Sequence, residues 1–154
     1  MITTLPEIWI VGALSVMLCL PVAALALGAG YKVFDGEAYL RMAKPGPGLF
    51  RTELVTDKDN ARHLNGIFGI IPPAATGAKV PYHYHKERES VLFILSGEGV
   101  EIFDGTEVRF KAGDVIFILP GVKHTIVNTA NADIRYVEFF THPPLASDFV
   151  EVKD

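Results

Sequence analysis

From residue 50 onward, short apolar runs alternate with Gly-, Pro- and Asp-rich breaks, and no stretch keeps the 3.6-residue period of an amphipathic helix. His63–Ile71 sets Leu64, Gly66, Phe68 and Ile70 on one face and His63, Asn65, Ile67 and Gly69 on the other, the period of a strand, and Pro72-Pro73 ends it. Val91–Leu95 and Val115–Leu119 are solid apolar runs, read as strands buried on both faces. Val100–Phe103 and Thr106–Lys111 flank Asp104-Gly105, a strong hairpin signal. In the second of these, Glu107, Arg109 and Lys111 alternate with Val108 and Phe110, so one face is wet. His124–Asn128 and Ile134–Thr141 complete the set. Many short strands at glycine turns, with no internal repeat, predict one all-β sandwich or barrel. Phe68, Leu92, Ile94, Phe103, Phe110, Phe117 and Phe139 are expected in its core or pocket wall.

The N-terminus follows another pattern. Ile8–Tyr31 contains no charged residue. As a helix it would span ~36 Å, more than the ~30 Å hydrocarbon core of a bilayer. Trp9 and Tyr31 stand at its ends, where amphipathic rings favour the interface, and Pro21 would kink it. The expectation is an N-terminal hydrophobic helix that anchors the chain in a membrane by a single pass. No Lys or Arg precedes the run, whereas Lys32, Arg41, Lys44 and Arg51 follow it, which leaves the C-terminal domain in the cytoplasm. Two readings compete: a signal peptide cleaved near Ala24-Leu25-Ala26, with secretion, and a buried helix that would need a large host core. Lys44-Pro-Gly-Pro-Gly48 reads as a loop. The chain thus divides into an N-terminal segment (1–31), a linker (32–49), a barrel (50–142) and a tail (143–154).

Composition narrows the function classes. The chain has 154 residues, suited to one domain, and a formal net charge of −4 without any Lys/Arg cluster, so no nucleic-acid partner is expected. Cys19 is the single cysteine, which excludes an intrachain disulfide framework and a four-cysteine zinc site. Leu18 stands before it where a lipidation signal wants a small residue.

The chemistry lies in the histidines. His83-Tyr84-His85 is an i, i+2 pair, and on a strand both imidazoles point to one face. His124 follows the next apolar run after a Pro-Gly turn. Three converging imidazoles suit one divalent ion of Mn, Fe, Co, Ni, Cu or Zn and leave positions open for water or substrate.

The spacing of the glycines and histidines over Gly77–Asn128 resembles the cupins. In the first cupin motif a Gly is followed by five residues, His-x-His, three or four residues, a Glu, six residues and a Gly. Gly77, His83, His85 and Gly97 fit it. In the second, a Gly is followed by five residues, Pro-x-Gly, two residues, His, three residues and Asn. Gly113, Gly121, His124 and Asn128 fit, with Leu119 where the family has its Pro. The resemblance implies a double-stranded β-helix (jelly-roll) barrel with a metal held by His83, His85 and His124. The carboxylate departs from the pattern. Glu89 lies three residues beyond His85, but counting back from Gly97 puts Ser90 at the family's glutamate position. Adjacent strand residues face opposite ways, so either a bulge turns Glu89 inward as a fourth ligand or the site has three histidines and water.

Glu89 and Glu138 are the candidate catalytic bases. Arg135 and Glu138 face opposite ways, and either a pocket or a solvated face would suit each. His63 reads as core, surface or pocket, Tyr82 and Tyr84 as packing or mouth residues, and His142 as exposed. The resemblance implies metal-dependent chemistry of oxygenase, isomerase, lyase or decarboxylase type on a small organic substrate, expected to be apolar, in a homodimer. A non-catalytic module that binds or senses a small molecule at the membrane is the alternative.

Overall fold

The structure is a computed structural model that describes residues 24–28, as backbone, with 30–141 and 148–153. Strand β1 (Ala24–Gly28) pairs antiparallel with β2 (Tyr31–Phe34) as a separate hairpin, followed by the short helix α1 (Gly36–Arg41). Then come β3 (Phe50–Val55), β4 (Leu64–Ile71), β5 (His83–His85), β6 (Ser90–Ser96), β7 (Glu98–Phe103), β8 (Thr106–Lys111), β9 (Val115–Ile118), β10 (His124–Val127), β11 (Ile134–Thr141) and β12 (Phe149–Glu151). Two five-stranded antiparallel sheets result, in the orders β3-β4-β11-β6-β9 and β12-β5-β10-β7-β8. This is the jelly-roll barrel that the strand pattern and the motifs lead to.

The core lies between the sheets. Ile67, Ile71, Leu92, Ile94, Phe110, Ile118, Ile126, Ile134, Tyr136 and Phe140 are buried there in one cluster. Alternation does the sorting: on β11, Ile134, Tyr136, Glu138 and Phe140 are buried while the residues between them are half-exposed. Tyr136 sits opposite Gly69, and a Cβ at Gly69 would overlap the Tyr136 ring. That glycine makes room for the phenol in the barrel, where Tyr136 Oη accepts from Arg51 Nε at 3.2 Å. The tight links are as expected: Asp104 and Gly105 both adopt positive φ (46° and 85°) in the β7–β8 hairpin.

A second cluster lies outside the barrel. Tyr39 of α1 packs over Phe68 with ring centroids 4.8 Å apart, together with Leu54 and Ile70. Asp35 caps α1 by accepting from the Ala38 amide at 3.1 Å. The 32–49 stretch read as a linker thus carries part of a strand and a docked helix, because its apolar residues Phe34, Tyr39 and Met42 match the outward face of β4. The expected helix over Ile8–Tyr31 is corrected at its C-terminal end, where Gly28 and Gly30 punctuate a strand hairpin. Its earlier part, Trp9, Pro21 and Cys19 included, lies outside the described residues, as does His142. Among the described residues no helix is long and apolar enough to cross a membrane.

Two strand readings are corrected as well. β6 and β9 are not buried on both faces: Val91, Phe93, Val115 and Phe117 are 39%, 42%, 61% and 55% exposed. The layer of α1 covers that sheet only as far as Leu95 and Val137. Phe117 and half-buried Phe139 therefore stand outside the core, and Phe140 takes the inward place beside Tyr136. The tail reading also changes, since β12 pairs with β5 in the register Phe149↔His85, Val150↔Tyr84 and Glu151↔His83.

Candidate metal centre

β5 and β10 are antiparallel neighbours with His83 opposite His124, and two-residue alternation brings His85 to the same face. All three imidazoles are buried, with exposures of 5%, 3% and 7% for His83, His85 and His124. A ring nitrogen from each lies within 4.8 Å of the others. The ring centroids are 4.9 Å (His83–His85), 4.3 Å (His83–His124) and 5.4 Å (His85–His124) apart.

Their Nδ1 atoms are already engaged. His83 Nδ1 lies 2.7 Å from the Pro81 carbonyl, His124 Nδ1 2.9 Å from that of Val122 and His85 Nδ1 3.3 Å from that of Asp148. A carbonyl only accepts, so each Nδ1 carries the proton and each Nε2 keeps its lone pair. Burial holds the rings neutral: burial and then the nearness of the titratable His124 push His83 down to about 4, and burial and then the Arg88 charge push His85 down to about 3. His124 shifts the same way, by burial first. Neutral imidazoles with Nδ1 pinned by an outer partner are what a divalent transition metal takes as ligands, so these three residues fit such an ion.

The cavity around them measures about 40 Å³ and is lined by Ile71, Val80, Leu92, Ile118 and Ile126. Charged residues stand among them: Arg51, Arg88, Glu101 and Glu138 line it too, with Tyr136, and Glu138 is the strand partner of Leu92 and Glu101 that of Ile126. The expected apolar lining is thus only part of the pocket. Arg88 is 5% exposed and places Nη2 2.6 Å from His85 Nε2 and 3.8 Å from Glu138 Oε1. Its Cζ lies 4.4 Å above the Phe140 ring, and its Nε and Nη1 are buried without a hydrogen-bond partner. Glu101, 1% exposed, leaves both carboxylate oxygens unpartnered. Burial, then the nearby Glu138, pushes its pKa up to about 8, so it carries a proton at neutral pH.

Of the expected carboxylates, Glu138 is buried on the inner face of β11, opposite Leu92. Glu89 is exposed, so the reading of it as ligand or base is corrected. No bulge turns it inward: its amide donates to Thr141 Oγ1 at 3.0 Å, and pairing of β6 with β11 starts at Ser90. Ser90 takes the inward place, 1% exposed, with Oγ unpartnered. His63 is exposed, Tyr82 and Tyr84 are half-buried, and Arg135 points outward to the Met42 carbonyl at 3.2 Å.

Sequence reasoning missed the contribution of the C-terminus. Buried Asp148 accepts from the amides of Lys86 (2.9 Å), Glu87 (3.2 Å) and Arg88 (3.0 Å) and so clamps the loop that aims Arg88. Burial alone would push this carboxyl up, but those amides hold it below the ordinary aspartate value. Phe149 covers His83. Arg88 had a signal: it stands two residues before Ser90, on the same face if the chain is extended. Asp148 had none in its neighbourhood.

Comparison with known proteins agrees with this architecture. Residues 73–140 match the Cupin domain family. An oxalate-binding protein of Thermotoga maritima is 40% identical over 67 residues, which cover 44% of this chain and 53% of that protein. Tetracenomycin polyketide synthase protein TcmJ of Streptomyces glaucescens is 35% identical over 82 residues, 53% of this chain and 53% of that protein. The chain therefore spans about half the length of these curated relatives. A Klebsiella pneumoniae protein with a double-stranded β-helix domain superposes with a TM-score of 0.61 at 19% identity, over 79% of this chain and 97% of that one, a likeness of fold alone.

Proposed function

We propose, for a chain whose residues 73–140 are a cupin domain, that its barrel holds one divalent transition metal ion on His83, His85 and His124 and acts on a small oxygen-rich organic substrate there. The observation that carries this is the set of three buried imidazoles whose Nδ1 atoms are bound to carbonyls, so that each Nε2 keeps a lone pair, that of His85 facing Arg88 Nη2. When bound, the ion would supply Lewis-acid polarisation of a substrate oxygen.

The chain's own residues set the rest. Arg88 has two buried nitrogens, Nε and Nη1, without acceptors, each able to donate to a ligand oxygen. Glu101 holds a proton on its carboxyl, available to a developing oxyanion. Glu138, in the cavity wall beside Arg88, is the carboxylate that would take up a proton. The aliphatic wall excludes water. This favours a small carboxylate or a 1,2-dioxygen compound over a purely apolar one. The names of the relatives, one oxalate-binding and one from a polyketide synthase, support a ligand of that kind.

A second reading is a module that binds such a ligand without turning it over. The relative named for binding oxalate supports it. Elemental analysis of the purified full chain, with a His124→Ala control, tests the shared premise. Wild type should carry close to one metal per chain and the variant should lose most of it; equal metal contents would refute the site. Oxygen uptake and product formation with small carboxylates would then mark the enzyme, and ligand-linked thermal stabilisation without product the binding module.

A further inference from the structure

The hydrogen bond from Arg88 to His85 lands on the atom that a metal ion would need. His85 Nδ1 faces the Asp148 carbonyl, so Nε2 is a lone pair, and Arg88 Nη2 at 2.6 Å is its donor. A lone pair engaged by a donor is withheld from a cation, and the guanidinium charge itself opposes a second positive charge beside it. We infer that Arg88 is the guard of the metal site: it bonds His85 Nε2 and must turn to Glu138 before His85 can serve as a ligand.

The surroundings suit that movement. Asp148 holds the Lys86–Arg88 amides, so the backbone at 88 stays fixed and the change falls on side-chain torsions. Glu138 Oε1 already stands 3.8 Å from Nη2, inside the same cavity. The Phe140 ring lies beneath the guanidinium, its centroid 4.4 Å from Cζ, and supports it in either place. Nε and Nη1 have no partner that would have to be broken. The consequence is an order of events. Metal affinity lies below what three free imidazoles would give, and the guanidinium faces an anionic ligand only after release from His85.

The inference rests on the proposed metal site, and one titration separates the two. Cobalt(II) is added to the full-length chain as wild type, Arg88→Met, Arg88→Gln and His124→Ala, and its visible d–d absorption is followed. Arg88→Met should bind cobalt at least tenfold more tightly than wild type, a gain that a residue of merely structural value would not give on removal. Arg88→Gln, neutral and shorter, should show the same gain and serves if Met at 88 misfolds. Cobalt binding by wild type and its loss in His124→Ala, with Arg88 variants no tighter than wild type, would overturn the guard alone. Failure of wild type and Arg88 variants alike to take cobalt would overturn the metal site, and the guard with it.

Discussion

The ring of Phe149 stacks on the imidazole of His83, with centroids 4.5 Å apart and planes 22° from parallel. A strand beyond the cupin-matching residues 73–140 thus closes one wall of the histidine site. Cutting the chain after Thr141 removes this wall together with Asp148. The shortened protein should lose most of its metal, and Phe149→Ala alone should cost roughly 1 kcal/mol of stability, the worth of one aromatic contact. Metal content and urea midpoints check both; full metal occupancy in the shortened chain would show that β12 is dispensable.

Stability of the metal-stripped protein should fall on both sides of a maximum in pH. On the acid side, the unfolded chain takes up protons at histidine near pH 6.5, whereas the fold keeps His83 neutral down to about 4 and His85 down to about 3. The unfolded state then binds more protons, so stability drops as pH falls from 6.5 toward 4. On the alkaline side the fold keeps a proton on Glu101 up to about 8, which the unfolded chain releases near 4.5. Stability therefore drops as pH rises between those values, and Glu101→Gln should remove that decline and be the more stable protein at pH 8. Urea midpoints from pH 4 to 9 give the answer; a wild-type curve still rising at pH 8 contradicts it.

Gly69→Ala should destabilise the fold by about 1–3 kcal/mol, because the added methyl overlaps the Tyr136 ring in a packed interior. Its effect should extend to Arg51, whose Nε bonds Tyr136 Oη. Gly105→Ala meets no atom within 4 Å, so it costs only the strain of its positive φ of 85°. A thermal melt of the two variants side by side tests the contrast, and equal losses would mean that the Tyr136 contact matters little.

We propose that a second copy of the chain covers the bare outward face of β6 and β9. Val91 pairs with Phe117 and Phe93 with Val115, so four exposed apolar side chains adjoin on neighbouring strands. Light scattering on the full chain should give a dimer, and Phe93→Asp with Phe117→Asp should give a monomer. A wild type that stays monomeric at working concentration refutes this arrangement.

The periodicity of the chain determined much by itself. Leu64–Ile71, the Asp104-Gly105 hairpin and Ile134–Thr141 could be read from alternation and turn residues, because strand period and positive φ are set by a residue and its neighbours. The His83, His85 and His124 grouping could be read too, since two-residue spacing fixes a common face and the glycine turns fix the order of strands. Parity alone left Glu89 and Ser90 undecided, and the pairing of Ser90 with Phe140 settled it: registers are chosen by the partner strand. Likewise, Val91 and Phe117 share the composition of buried strands but lie outside, because no local signal says whether another layer covers a sheet face. Asp148 reaches His85 across 63 residues of chain, Phe149 reaches His83 from the same strand end, and Arg88 meets Glu138 only where β6 and β11 pair. Those contacts belong to the tertiary structure: closing the barrel brings distant residues into one water-poor space, and only there do a lone pair, a guanidinium and two carboxyl groups set each other's charge.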